Sequence, residues 1–187
     1  LYGKVNPSAK LPMTFPRSVG QVPIYYNAKN TGRPLSADHT EKCTFEKFRS
    51  NYLDECNTPL YPFGYGLSYS QFNYSDLSVS NAKPTGNTSI EASITLTNNG
   101  KYDGAEVVQL YIRDLVGSIT RPVKELKGFQ KVYLKAGESK KVTFKISPED
   151  LKFYNSQLKF DWEAGDFDVM IGTNSHDVKT TRITWTQ

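Results

Sequence analysis

Residues that carry most protein chemistry are scarce in this chain: two cysteines and two histidines in 187 residues. Cys43 and Cys56 fall far outside the paired spacing of a zinc ribbon or a redox Cys-x-x-Cys. They are either one bridge in an oxidising compartment or two separate thiols, and a count of two leaves both open. His39 and His176 stand in polar stretches without a metal-spaced partner, so both are expected at the surface and no metal site is expected. A G-x-S-x-G pentapeptide is missing, which removes the nucleophile elbow of a serine hydrolase. Gly64-Tyr65-Gly66 comes nearest to a phosphate loop, but it neither follows a parallel-strand pattern nor opens a helix. No cofactor is expected.

Long apolar runs are missing too, and without about eighteen consecutive apolar residues no membrane span is expected. The formal charge of +4 comes from 23 basic and 19 acidic residues mixed along the chain, with no basic stripe of the kind that grips nucleic acid. The densest basic pair, Lys140-Lys141, falls in an alternating run and reads as a solvated strand face. The chain starts at Leu1 with no Met, charged n-region or apolar h-region, so it is expected to be a fragment or processed piece without its own signal peptide. The sequons Asn73-Tyr74-Ser75 and Asn87-Thr88-Ser89 would matter only on a eukaryotic secretory route and are read as chance occurrences.

Aromatic residues, by contrast, are plentiful: twelve Tyr and ten Phe favour a packed core over disorder. From about Asp76 onward the hydrophobic period is two. Ile90, Ala92, Ile94 and Leu96 alternate with polar residues and stop at the turn signal Asn98-Asn99-Gly100. Val108, Leu110 and Ile112, then Val132 and Leu134, then Val142, Phe144 and Ile146 repeat the pattern. Leu158, Phe160 and Trp162 continue it, followed by Phe167, Val169 and Ile171, and by Ile183 with Trp185. Many short strands with frequent turns and no helical period predict an antiparallel sandwich or barrel. Only Pro148 to Leu151, with Ser147 as a cap, reads as a helical turn.

Residues 1–72 differ. Seven prolines interrupt any period, and only stretches such as residues 10–15 could be strands. So long a stretch without regular structure is uncommon unless it is functional, disordered or draped over something else. Its many aromatics argue for packing on a surface. Adjacent or alternate acids (Asp54 and Glu55, Asp161 and Glu163) are read as solvated, because a glycosidase pair must stand about 5 to 9 Å apart across a sugar, which spacing cannot establish. No catalytic residue is nominated. The rings of Tyr61, Phe63, Tyr65 and Tyr69 read either as a sugar platform or as an interdomain plug, and the plug is the reading taken, because aromatics bury large areas and the intervening glycines permit turns.

Six stretches together resemble the C-terminal portion of glycoside hydrolase family 3, of the bacterial periplasmic β-glucosidase type. They are residues 3–15 (GKVNPSAKLPMTF), 25–34 (YYNAKNTGRP), 59–69 (PLYPFGYGLSY), 121–129 (RPVKELKGF), 134–144 (LKAGESKKVTF) and 167–175 (FDVMIGTNS). The resemblance implies an enzyme of three parts: a barrel with the aspartate nucleophile, an α/β sandwich domain that bears the glutamate acid/base in many members, and a terminal fibronectin type III-like domain. It implies an all-β fold here, a fibronectin type III-like (immunoglobulin-like) antiparallel β-sandwich over residues 73–187, preceded by an extended, mostly irregular segment. Residues 1–72 would be the tail of the α/β domain and its wrapping linker.

Both catalytic carboxylates would lie upstream of Leu1, so the expected partners are the upstream catalytic domains of the same polypeptide, and the β-glucoside is a substrate of the intact enzyme. A periplasmic or secreted location follows from the resemblance. Residues 41–57, holding both cysteines, depart from the family pattern, which leaves their bridge and that loop's role open. Phe167 stands where some such sandwiches place a corner tyrosine, so no hydroxyl tie is expected there. Two other readings are a carbohydrate-binding module with residues 61–69 as its platform, which needs exposed coplanar rings, and a partner-binding sandwich with a free edge.

Overall fold

The alternating runs become ten strands in a computed structural model that describes residues 3–187. In chain order they are β1 (Phe72–Tyr74), β2 (Ser78–Val79), β3 (Ile90–Asn98), β4 (Gly104–Asp114), β5 (Glu125–Leu134), β6 (Ser139–Ile146), β7 (Phe153–Tyr154), β8 (Phe160–Asp161), β9 (Gly165–Gly172) and β10 (Val178–Trp185). β3 is the centre of one sheet, paired with β6 through Ile90↔Ile146 to Thr97↔Ser139 and with the short β1 and β2. The other sheet runs β10-β9-β4-β5, and all of these pairings are antiparallel.

Inward-facing residues of the two sheets form one core, in which Ile90, Ala92, Ile94 and Leu96 share a cluster with Val108, Leu110, Ile112, Phe167, Val169, Ile171, Ile183 and Trp185. Full burial of each large apolar side chain stabilises by roughly 1.5–3 kcal/mol. Trp162 packs edge-on against Trp185 at 6.2 Å, and the Trp185 indole donates to the Gly86 carbonyl at 3.0 Å, so the largest buried ring keeps its polar atom satisfied. Phe167 is fully buried in this core. After β6 a single 3-10 turn, Pro148–Leu151, is closed by the Asp150 carboxylate, which accepts from the Ser147 amide and hydroxyl at 2.8 and 3.0 Å.

Three expectations change. Leu158 and Phe160 are not core residues: β7 and β8 make a separate two-stranded hairpin, with Leu158 at φ +59° and 83% exposed at its turn. Alternation marks a strand, but it does not say whether a core lies beneath it. Residues 10–15 form no strand; Phe15 makes only an isolated bridge to Tyr61. The segment before β1 instead holds a short helix, α1 (Ala37–Lys42), which ends at Cys43 in the left-handed conformation at φ +52°. The third change concerns β4, where Gln109 and Tyr111, on the face opposite Val108 and Leu110, are also buried.

Candidate functional site: the docked N-terminal segment

What covers the outer face of β4 is the proline-rich segment itself. Prolines leave a chain unable to complete a ladder, so residues 3–72 are held by single bonds instead. Residues 59–65 run back along 11–15: Gly64 donates to the Leu11 carbonyl at 2.9 Å, Leu11 to Tyr65 at 2.8 Å, and Phe15 to Tyr61 at 2.9 Å. The paired strip then attaches to the sandwich at two buried polar anchors.

The first anchor is Gln109. Its amide nitrogen donates to the Gly64 carbonyl at 3.2 Å and to the Thr173 carbonyl at 2.7 Å, while its oxygen accepts from the Tyr111 hydroxyl at 2.5 Å. Burial pushes that hydroxyl above the usual tyrosine range, so it remains a donor. Phe63 stacks on Tyr26 at 4.3 Å, and Tyr26 meets Tyr111 edge-on at 5.8 Å. Alongside, the Ser175 amide donates to Phe63, and the Lys124 ammonium donates to the Ser175 carbonyl at 2.5 Å. Desolvation, with a smaller contribution from Arg113, pulls the Lys124 ammonium below the usual lysine range.

The second anchor is an ion pair, Lys10 to Glu106 at 2.8 Å, with side chains 11% and 6% exposed. The same Glu106 oxygen accepts from Thr173 at 2.7 Å and from Tyr74 at 3.0 Å, and Lys10 also donates to Thr173 at 2.9 Å. Burial first, then the Glu106 charge, pushes the Tyr74 hydroxyl far above its ordinary range. Breaking a buried pair of this kind typically costs about 3–5 kcal/mol, because the remaining charge is stranded.

Within the segment, Cys43 and Cys56 form a disulfide with Cα atoms 4.7 Å apart. The enclosed loop is tied down from both sides. Buried Gln21 donates to the Cys56 carbonyl at 2.6 Å, and Glu46 accepts from the Ser36 amide at 3.1 Å while pairing with Arg49 at 3.1 Å. The Ser36 hydrogen bonds, ahead of Arg49, hold the Glu46 carboxyl below the usual range. Nothing in the sequence pattern flags Gln21, Lys10 or Glu106, because a buried polar residue is identified only by partners far away in the chain.

Tyr61, Phe63, Tyr65 and Tyr69 are not gathered into one cluster. Tyr61 and Tyr65 stack on each other at 5.0 Å, with Phe15 edge-on to Tyr61 at 6.4 Å; Phe63 faces the sandwich through Tyr26; Tyr69 stands apart, its amide bonded to the Asn6 side chain. Outward from the segment, Met13, Phe15, Val19, Phe45, Phe48, Leu53, Leu60 and Leu67 stay exposed.

Of the acids singled out in the sequence, Glu55, Asp161 and Glu163 accept from backbone amides. Glu55 caps the Cys56 amide, Glu163 accepts from Ser118 at 2.7 Å, and Asp114 lies 3.7 Å from Arg121, its carboxyl pushed up by desolvation against the pull of that cation. His39 accepts or donates at Thr44, and His176 is exposed. Among the described residues no group of three or more His, Cys, Asp and Glu side chains could hold a metal, and no helix is long and apolar enough to cross a membrane.

Two family models match: the glycosyl hydrolase family 3 C-terminal domain at residues 1–69 and the fibronectin type III-like domain at residues 106–175. The chain is similar to the periplasmic beta-glucosidase of Salmonella typhimurium, 51% identical over 179 residues, which is 96% of this chain and 23% of that protein. It is 40% identical over 187 residues to a beta-xylosidase of Formosa agariphila, covering 98% of this chain and 24% of the relative. The crystal structure of the beta-glucosidase from Listeria innocua in complex with glucose matches with a TM-score of 0.90 and 43% identity, over 97% of this chain and 25% of that one. The chain thus spans about a quarter of the length of these relatives. With both models met in order and the strap-on-sandwich arrangement shared, the chain belongs to glycoside hydrolase family 3, whose C-terminal region it represents.

Proposed function

We propose that this chain is the C-terminal portion of a β-glucosidase-type hydrolase that removes terminal β-linked glucosyl residues with retention. Residues 1–72 complete an α/β domain and its linker, and residues 73–187 form the terminal sandwich. The two carboxylates that retaining hydrolysis requires come from upstream domains of the same polypeptide, and that chemistry calls for no cofactor. The role of this piece is to hold those domains in register, since a misplacement of about 1 Å can cost roughly a hundredfold in rate.

One observation carries this reading: the segment is fixed to the sandwich by buried anchors and leaves many large apolar side chains, among them Met13, Phe15, Val19, Phe48, Leu53 and Leu60, exposed. Exposed apolar side chains gathered in such number normally mark a surface meant to be covered. The disulfide and the periplasmic relative support a periplasmic or secreted location. A carbohydrate-binding module built on residues 61–69 is less well supported, because Tyr61 and Tyr65 cover one another instead of forming an open platform. A partner-binding sandwich has no specific observation in its favour.

The test is hydrolysis of an aryl β-glucoside and an aryl β-xyloside by the purified chain beside a longer protein carrying the upstream domains. Turnover of the glucoside by the longer protein alone is expected. Preference for the xyloside would move the substrate toward that of the Formosa relative, and genuine turnover by the isolated chain would overturn the assignment.

A further inference from the structure

At the β3–β4 end of the sandwich, Tyr69 and Tyr102 flank an open depression of about 540 Å³ whose lining also includes Lys4, Asn6 and Asp103. The two rings are 54% and 62% exposed. Their backbones, however, are fixed. The Tyr102 carbonyl accepts from the Ser70 hydroxyl at 2.5 Å and from the fully buried Asn98 amide at 2.8 Å, and Asn6 accepts from the Tyr69 amide at 2.9 Å while donating to the Asp103 carbonyl at 3.0 Å. Asp103 is itself oriented, accepting from the Ala136 amide at 2.9 Å and the Tyr133 hydroxyl at 3.2 Å. A carboxylate offers about four acceptor sites, so two remain for a ligand.

Large rings left in water on a rigid turn, beside a fixed carboxylate, an ammonium and an amide, suit a neutral ring-shaped molecule with hydroxyls at its rim. The volume lies within the roughly 300–1,000 Å³ of small-molecule sites, and one positive and one negative group favour no net charge. We propose that this depression is a carbohydrate-binding site that takes a pyranose chain, with Tyr102 and Tyr69 against the apolar ring faces and Asp103 accepting from hydroxyls. The proposal stands apart from the hydrolase reading: a chain that binds glucan yet belongs to no β-glucosidase satisfies one and not the other.

Native electrophoresis of the 187-residue chain through gels cast with soluble mixed-linkage β-glucan or with xylan tests it, with thermal melts to show that each variant is folded. Retardation of the wild type is expected, weakened about tenfold in Tyr102→Ala, as expected for loss of one aromatic contact of roughly 1.4 kcal/mol. Tyr102→Phe keeps the ring and should bind, and Phe129→Ala, which removes an exposed ring on β5, should match wild type. Retardation in either gel or in both, weakened by Tyr102→Ala, supports the site, and retardation in one gel alone tells which sugar it takes. Unretarded wild type, or retardation that Tyr102→Ala leaves intact, overturns it.

Discussion

Gly64 is the residue on which the docking of the segment turns. Its φ of +80° is open to glycine but costs other residues about 1–2 kcal/mol, and a Cβ there would lie 2.1 Å from the Gln109 side-chain oxygen. Gln109 cannot yield cheaply, since it is buried and bonded to three groups. Gly64→Ala is therefore expected to free the strip while leaving the sandwich folded. Hydrogen exchange should show lost protection at Leu11 and Phe15 with β3 and β6 unchanged; uniform loss, or none, would mean that the anchor is not local. The glycine was visible in the sequence as a permitted turn, but its reason, a close approach to a glutamine in another part of the chain, was not.

Among the elements, β3 and β6 were legible because one face is core and the other water, which is the pattern that alternation reports. β4 was legible only on its inner face. A glutamine and a tyrosine on the outer face look the same in sequence whether solvent or another segment covers them. The β7–β8 hairpin misleads for the converse reason, since Tyr154 and Phe160 pack on one another at 5.1 Å on its exposed face, while only Phe153 is buried. The loop between α1 and residue 58 has little regular structure, so its order depends on the Cys43–Cys56 bridge and the Gln21 tie. A bridge closing a loop of about 15 residues contributes roughly 3 kcal/mol. Reduction should therefore open residues 43–56 to limited proteolysis well below the temperature at which the sandwich melts. Equal cleavage rates with and without reductant would assign the loop's order to the hydrogen bonds alone.

At the scale of the whole molecule, the exposed side of the segment makes the isolated chain adhesive. Anilinonaphthalene sulfonate should fluoresce strongly on the 187-residue chain and weakly, per molecule, on a longer protein whose upstream domains cover Phe15, Leu60 and their neighbours. Equal dye binding by both would show that these side chains stay exposed. The two-sided burial of β4 also limits how the molecule can be divided. A nick in residues 66–71 would leave two pieces still clasped through Gln109 and Glu106, so cleavage would be visible on a denaturing gel before it was visible in shape. Grafting residues 73–187 alone onto another protein would bring Gln109 and Tyr111 into water without the Gly64 carbonyl and the Tyr26 ring that cover them. A graft begun at residue 3 carries its own lining, which makes the strap and the sandwich together, and neither alone, the transplantable part.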